Sequence, residues 1–404
     1  MYDGYLALGG REVLNRARAA AYLRRFLSGR VDVLCDDATL APSLAHSAYT
    51  TPQTDGAPWY KGSRPAGARF YGVFPGKVQG AEDSTRSVDV TELSGSGAII
   101  TSPRYGSKEM RFVGTAFAAD EEAMDEGLAW MKDVLSNDGC SDSDLGCTGQ
   151  EAKLFAALPK DAVAAYNLTR TFHRVEMSEG VLVTKKFPVR GFVMWQVEFT
   201  LTAGIPWAFT SPTDVGTLAM DTGSSYVDPA GENCGAAAMV DAYDDFIEDP
   251  YFTAISRPPR PPVILPPNIL DIGSWRRKTL ALPATQTQRW GRVAPIVRIA
   301  TENAVQFVRI RFYEQGKSGC DYDGEFLVSY IPATAVLTLN SVTREATVTQ
   351  WNGRVVPAGN LLFGSDGNPF LWPTLGCQKA YTMTADIMPG QPGAVVMLET
   401  AVRD

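Results

Sequence analysis

One stretch near the middle of the chain alternates apolar and polar side chains with strict regularity. In the sequence GFVMWQVEFTLTAG at 191–204, apolar side chains occupy every second position from Val193 to Leu201, and polar Gln196 and Glu198 lie between them. This is the period of a β-strand that has one packed face and one wetter face. The pattern therefore predicts a half-buried strand in this region.

The same period recurs along the chain and predicts a mainly β fold. The other predicted strands are 86–93, 111–118, 168–177, 181–187, 305–313, 335–339, 346–351 and 395–402. From residue 268 to residue 404, short strands alternate with turns and no helical pattern occurs, which predicts a β-sandwich. The 37 glycines and 26 prolines are consistent with the many turns that such a fold needs.

A few helices are predicted among the strands of the N-terminal half. The clearest is 119–136, where Met124, Leu128, Met131 and Leu135 form one apolar stripe that we expect to pack on a sheet. Acidic residues crowd the first turns of this segment, at the positive end of the helix dipole. Elsewhere, Asn15 is predicted to cap a helix over 16–27, and a shorter helix is predicted over 149–158.

The length of 404 residues exceeds one ordinary core, so two domains are the default expectation. The best boundary is the run RPPRPPVILPP at 257–267, because prolines keep a chain extended and semi-rigid. We therefore predict a first domain at 1–256, a proline-rich linker at 257–267 and a second domain at 268–404. Within the first domain, the turn-rich stretch 36–85 is predicted to be a loop excursion rather than core.

The composition limits the classes of partner. The formal net charge is −8, which disfavours a general electrostatic attraction to nucleic acid. The first residues, MYDGYLALGG, have no basic-then-apolar signal segment, and no run of 18 apolar residues would span a bilayer. We expect a soluble protein that is made in the cytoplasm and binds no membrane.

Four of the six cysteines are candidates for pairing. Cys140 and Cys147 bracket a short acidic loop, and Cys320 and Cys377 lie in separate turn-like stretches of the C-terminal half. Three interpretations compete for the first pair: free thiols, a disulfide closed after lysis or during maturation, and a metal site. The last is disfavoured because zinc usually takes four Cys or His ligands and neither histidine is near in sequence.

The sequence contains no complete catalytic set. Asp221-Thr222-Gly223 resembles half of an aspartic-protease site, but that chemistry needs a second carboxylate motif, which the chain lacks. The two histidines, His46 and His173, have no nucleophile elbow to serve. No phosphate loop or dinucleotide motif occurs. We therefore expect neither an enzyme nor a bound cofactor or metal.

Tryptophans of the C-terminal half offer a different kind of site. The four candidates for a flat platform under a sugar ring are Trp275, Trp290, Trp351 and Trp372. The alternative is that they belong to the sandwich core or to a subunit interface, which is the more common use of such residues.

Taken in order along the chain, several short motifs resemble the distal tail proteins of siphophages, as found in phages of actinobacteria. In the N-terminal half they are LGGREVLN at 8–15 with Arg18 and Tyr22, the strand-to-helix segment 112–135 with GLAW at 127–130, and FTLTAGIP at 199–206. In the C-terminal half they are the proline run, VRIRFYE at 308–314 and DGNPFLWPTLGC at 366–377.

The resemblance implies a structural minor tail protein with no catalytic residues. It implies an N-terminal β-sandwich or split barrel with a packed helix, which forms a hexameric ring, and a C-terminal galectin-like β-sandwich. The ring would join the tail tube protein to the tail-tip hub or baseplate protein around the channel for DNA and the tape-measure protein. The location would be the tail tip of the virion, after assembly in the host cytoplasm. A carbohydrate-binding tail module for recognition of the host cell wall is the alternative.

Overall fold

The computed structural model describes residues 1–24, 39–46, 48–82, 86–92, 96–100, 104–136, 149–159, 168–189, 191–220, 225–227, 275–284, 291–319, 321–364, 370–376, 378–387 and 393–403. These residues are mainly in antiparallel strands, with three α-helices among them, so the predicted fold class is confirmed. The chain divides into two compact units, Met1–Ser211 and Pro212–Asp404.

The first unit is built on one sheet of seven strands in the order β2-β1-β9-β10-β11-β8-β3. Its elements are β1 (Tyr2–Leu8), β2 (Arg11–Asn15), α1 (Arg16–Leu23), α2 (Leu40–Ser43), a 3₁₀ helix (Pro65–Arg69), β3 (Phe70–Gln79), β4 (Arg86–Ser87), β5 (Val90–Glu92), β6 (Ala98–Ile100), β7 (Arg104–Tyr105), β8 (Lys108–Ala118), α3 (Glu121–Ser136), β9 (Gln150–Phe155), β10 (Thr169–Val189) and β11 (Phe192–Ala203). The two predicted strands at 168–177 and 181–187 are one long strand, β10, interrupted by bulges.

Strand β11, which lies between β10 and β8, follows the predicted alternation. Trp195, Val197, Phe199 and Leu201 are buried in the core of the unit, and the residues between them point to the other side of the sheet. Phe199 stacks on Phe112 of β8, with ring centroids 5.0 Å apart. The period-two pattern therefore sets which side of this sheet is the core.

Helix α3 packs its apolar stripe into that core, as predicted. Met124 and Met131 are fully buried, and the Asp120 carboxylate caps the first turn by accepting from the backbone N–H of Ala123 at 2.9 Å. Helix α1 is capped as predicted, because Asn15 accepts from the N–H of Arg18 at 3.0 Å. The end predicted for this helix, at residue 27, lies outside the described residues.

The helix predicted over 149–158 is wrong. Residues Gln150–Phe155 form strand β9, which pairs with β1 on one side and β10 on the other. The sequence QEAKLF buries alternate side chains, and six residues are too few for a helical period to be told from a strand period. The neighbouring strands decide the conformation.

The excursion predicted at 36–85 is also wrong for its second half. Trp59, Phe70 and Val73 are buried in the core, and β3 forms an edge of the sheet beside β8. The Trp59 indole N–H donates to the carbonyl of Phe70 at 2.9 Å, which ties the turn-rich stretch to the strand. The many turn residues of this stretch led to the prediction of a loop, although the stretch includes strand β3.

The second unit consists of two facing sheets, ordered β12-β24-β15-β18-β19-β20 with β22 beside β15, and β13-β14-β23-β16-β17-β21. The strands are β12 (Thr213–Ala219), β13 (Ser225–Val227), β14 (Trp275–Leu282), β15 (Arg292–Thr301), β16 (Val305–Glu314), β17 (Gly324–Ile331), β18 (Ala335–Asn340), β19 (Glu345–Thr349), β20 (Val355–Pro357), β21 (Leu362–Phe363), β22 (Leu375–Gly376), β23 (Tyr381–Ile387) and β24 (Ala394–Arg403). Side chains of both sheets share one core, including Ile299, Phe312, Phe326 and Leu398.

The boundary between the units lies earlier than the predicted one at 256. Strands β12 and β13 fall inside the predicted first domain, yet β12 pairs with β24 and β13 pairs with β14 of the second unit. The proline run at 257–267 lies outside the described residues, but in sequence it connects β13 to β14 of one sheet. It therefore does not separate the two units.

Candidate functional site

Some of the site residues predicted from the sequence lie among the described residues, and others do not. All six cysteines, including Cys140, Cys147, Cys320 and Cys377, lie outside the described residues, as do Trp290 and the Asp221 motif. Within the described residues, no three His, Cys, Asp or Glu side chains are grouped so that they could hold a metal ion. No helix there is long and apolar enough to span a membrane.

The three described tryptophans of the second unit have different environments. Trp275 is buried, its indole N–H has no partner among the described residues, and its ring lies 5.3 Å from the Arg309 guanidinium. Trp372 packs edge-on against Phe370, with ring centroids 5.0 Å apart. Trp351 occupies the turn between β19 and β20 and is 80% exposed. Of the three, Trp351 alone offers an open aromatic face.

A polar face covers the side of the β14-β23-β16 sheet that is turned away from the sandwich core. Asp386 accepts from Arg277 Nε at 2.7 Å and from Arg309 Nε at 2.9 Å, and it is fully buried. Two residues beyond Arg309 on β16, Arg311 donates to Glu325 at 2.5 Å. Three guanidinium groups and two carboxylates thus form a buried ionic network that joins four strands.

A second polar network lies in the first unit and includes two residues of the motif LGGREVLN, Glu12 and Asn15. The Glu12 carboxylate accepts from Arg18 Nε and from Asn15 Nδ2, each at 2.7 Å. Asn15 also donates to the Tyr49 hydroxyl at 3.0 Å. Burial, and after it the charge of Glu12, raises the pKa of Tyr49 to about 12. The network ties the stretch around residue 49 to the first hairpin and to α1.

The network forms one wall of an open cavity of about 750 Å³. Arg11, Lys61, Trp130 and Asp133 are among its other lining residues. Asp55, another lining residue, accepts from the Tyr22 hydroxyl at 2.9 Å. Its described acidic and basic groups balance, so the cavity shows no strong preference for one sign of charge.

Two short antiparallel strand pairs lie in sequence between β3 and β8 of the first unit. We call the described residues 86–92, 96–100, 104 and 105 the arm; within it β4 pairs with β7, and β5 pairs with β6. At its base, Tyr105 lies 5.4 Å from Trp207 between ring centroids, and the Arg86 guanidinium lies 5.9 Å from the Tyr105 ring. Towards its tip, Val90 and Ile100 lie directly opposite each other and are 57% and 67% exposed. The arm therefore presents an apolar pair to solvent.

A second apolar surface lies on the side of the sheet opposite the core. We call the outward side of β10, β11, β8 and β3 the outer face. Phe187, Met194 and Phe117 are directly paired across three strands and form one apolar row there. Leu182 lies on the same side, paired with Glu198, and is 61% exposed. On the outer face Leu182 and Phe187 are exposed, whereas Met194 and Phe117 are partly buried and Phe117 also packs against the core.

The alternation in the sequence predicts which side chains point away from the core, but it does not predict that this side of the sheet is partly apolar. The sequence predicts that Gln196 and Glu198 point away from the core, and it does not show that Phe187 and Phe117 align beside Met194. That alignment depends on strand register across residues far apart in sequence.

Comparisons with known proteins place few constraints on the chain. No family model matches it, and no curated protein matches it. Among solved structures it is similar to the Dit protein of phage SPP1, described as a paradigm of hub adsorption apparatus in phages infecting Gram-positive bacteria, with 12% identity and a TM-score of 0.39 over 81% of this chain and 93% of that chain.

The chain is also similar to the baseplate of phage P2 in its activated conformation. The form with Ca gives 8% identity and a TM-score of 0.39, and the form with Sr gives 7% and 0.38; each match covers 81% of this chain and 90% of that chain. TM-scores of this size do not establish a common fold, so the functional argument below rests on the chain's own motifs and surfaces.

Proposed function

We propose that this chain is a structural component of the tail tip of a long-tailed phage. In this role it forms a distal ring, of six copies, that joins the tail tube to the tip hub and surrounds the channel for DNA. The order of the sequence motifs supports this role, as does a first unit built around one helix-covered sheet. The observation that carries the proposal is that the first unit exposes two different apolar surfaces, the arm and the outer face.

Two unlike surfaces are what a ring requires. Each copy in a cyclic head-to-tail assembly uses one surface to bind the next copy and a different one to receive the previous copy. Exposed apolar side chains on strands are a liability in a monomer, because they favour uncontrolled association. A partner in the mature particle would cover them. The tail tube protein, the hub protein and the tape-measure protein are the other partners of this proposal.

The mass of the purified protein tests the ring. Analytical ultracentrifugation should show a closed species of six copies of the 43.7 kDa chain, and electron microscopy of the phage particle should place the protein at the distal end of the tube. A protein that remains monomeric at all concentrations and is absent from virions would exclude this function.

One exposed side chain favours a second candidate function, a carbohydrate-binding module in the second unit. Trp351 presents an open aromatic face at a turn that also carries Gln350 and Asn352. An aromatic face packs on a sugar ring, and amide groups can bond its hydroxyls. The sugar in question is a polysaccharide of the host cell wall.

Binding measurements separate this candidate from a purely structural unit. The full chain should bind wall polysaccharide, and Trp351→Ala should weaken that binding at least tenfold. Leu371→Ala is the matched control, because Leu371 is also more than four-fifths exposed on the second unit. No binding by the unaltered chain at millimolar sugar would remove the candidate.

A further inference from the structure

We infer that the open cavity of the first unit binds a short neutral oligosaccharide. The site is separate from the exposed Trp351 of the second unit, and the inference does not depend on the ring. Three observations carry it: a polar wall fixed by buried hydrogen bonds, a partly buried tryptophan, and lining charges that cancel.

Buried contacts hold one wall of the cavity in place. Glu12 and Arg18 both line the cavity, are only 9% and 5% exposed, and are joined by the bond from Arg18 Nε at 2.7 Å. The Arg18 guanidinium lies 4.3 Å from the centre of the Tyr49 ring, and the Tyr49 hydroxyl lies 2.7 Å from His46 Nδ1. Because these side chains already fix one another, a ligand meets them without the entropy cost of ordering them.

Tight turns leave room for a ligand beside this wall. Gly10 and Gly56 line the cavity with φ angles of 76° and 55°, and a Cβ added at either would meet no atom of the described residues within 4 Å. Ala45, a third lining residue, has a φ of 56°, a conformation that is uncommon for a residue with a Cβ and that recurs at ligand sites. The volume of about 750 Å³ lies within the usual range for sites of small ligands, about 300–1,000 Å³.

Trp130 of α3 gives the cavity an aromatic surface. It is partly buried, lines the cavity, and packs edge-on against Trp59 with ring centroids 5.4 Å apart. Trp59 is itself buried in the core, so it holds Trp130 in position. The C–H face of a sugar ring packs on such an aromatic surface, while the sugar hydroxyls remain available for hydrogen bonds.

The charges around the cavity favour a neutral ligand. The described lining residues with a formal charge at pH 7 are three basic and three acidic ones: Arg11, Arg18 and Lys61, and Glu12, Asp55 and Asp133. Arg11, Lys61 and Asp133 are exposed, so a ligand can reach donors and an acceptor at the same site. A polyanion or a polycation would meet like charges there, whereas sugar hydroxyls both donate and accept.

Isothermal titration calorimetry on the full chain tests the site. The probes are neutral trisaccharides of glucose, galactose, rhamnose and N-acetylglucosamine. At least one of them should bind with a dissociation constant on the order of 1 mM. Binding by none of them would overturn the inference. A trisaccharide of galacturonic acid that binds more tightly than its galactose counterpart would also overturn it, because the site would then select a negative charge.

Two exposed lining residues locate the binding in this cavity. Lys61→Ala and Asp133→Ala should each weaken it about tenfold, because each removes a hydrogen bond to a charged group. Asp125→Ala is the matched control for the second, since Asp125 is also exposed on α3 but lies about 12 Å earlier along the helix. Lys77→Ala, at an exposed position of β3, is the control for the first. Equal affinities in all four variants would overturn the inference.

The Trp351→Ala chain separates this site from the candidate in the second unit. It should still bind the trisaccharide, one molecule per chain, and adding Lys61→Ala should weaken that binding. Loss of all binding on Trp351→Ala alone would overturn the inference and assign the sugar to the second unit. The ring is tested by mass and the cavity by calorimetry, so the failure of one proposal is distinguishable from the failure of the other.

Discussion

Asp386 of β23 lies directly opposite Arg309 of β16, and the two side chains form a buried ion pair at 2.9 Å. Neither residue is more than a few per cent exposed. The pair lies on the side of the sheet away from the sandwich core, where alternation alone would place solvated side chains. Because Asp386 also accepts from Arg277, one carboxylate joins three adjacent strands.

Removing the charge of Asp386 should destabilise the second unit strongly. Asp386→Asn leaves two arginines without their carboxylate, and breaking a buried pair in this way costs about 3–5 kcal/mol. Urea unfolding measures the change. Glu399→Gln is the control, because Glu399 pairs with the partly exposed Arg298 and should cost less than about 1 kcal/mol. Equal effects of the two substitutions would contradict this account of the network.

Gly127 of α3 should not tolerate the best helix-forming residue. A Cβ added there would come within 2.3 Å of the Phe70 ring, which is fully buried. Alanine raises helix propensity by about 1 kcal/mol, but overpacking typically costs about 1–3 kcal/mol. We therefore expect Gly127→Ala to lower the free energy of unfolding, and Phe70→Leu to recover part of the loss in the double variant. A stabilising Gly127→Ala would show that the helix shifts freely.

Tyr49 should make the first unit sensitive to alkaline pH. Its pKa is raised from 10 to about 12 by burial and by Glu12, so the folded state keeps the hydroxyl protonated when the unfolded chain has lost the proton. This contribution is fully present below pH 10 and is lost as the pH rises towards 12.

The comparison of Tyr49→Phe with the unaltered chain isolates that contribution. At pH 8 the variant should be less stable by about 1 kcal/mol, since it loses the bond from Asn15. The gap should narrow between pH 10 and pH 11.5 in urea titrations. Tyr330→Phe, at an exposed position, provides the baseline for removal of a tyrosine. A gap that widens with pH would refute the assignment.

Trp351 and Trp372 should differ in what they contribute to stability. Trp372→Ala removes ring contacts with Phe326 and Phe370 and should cost about 3 kcal/mol or more. Trp351→Ala removes an exposed side chain and should change the free energy of unfolding by less than about 0.5 kcal/mol. Thermal unfolding of both variants checks this. A large loss at Trp351 would mean that it belongs to the fold rather than to a binding surface.

Local periodicity in the sequence determined the mainly β class, the apolar stripe of α3, the Asn15 cap and four of the thirteen described strands of the second unit. These features follow from contacts within a few residues, so they can be read from spacing alone. Strand β9 could not be predicted in this way, because its conformation depends on hydrogen bonds to β1 and β10.

Tertiary structure alone decided the unit boundary and the candidate surfaces. Strand β12 belongs to the second unit because it pairs with β24, the last strand of the chain, and no local signal reports that pairing. Asp386 is buried beside Arg309 although 77 residues separate them, and Phe187 joins Met194 and Phe117 only through strand register. The physical reason is the same in each case: a side chain's burial depends on which strand lies beside it, and pairing between distant strands is set by the folded core as a whole.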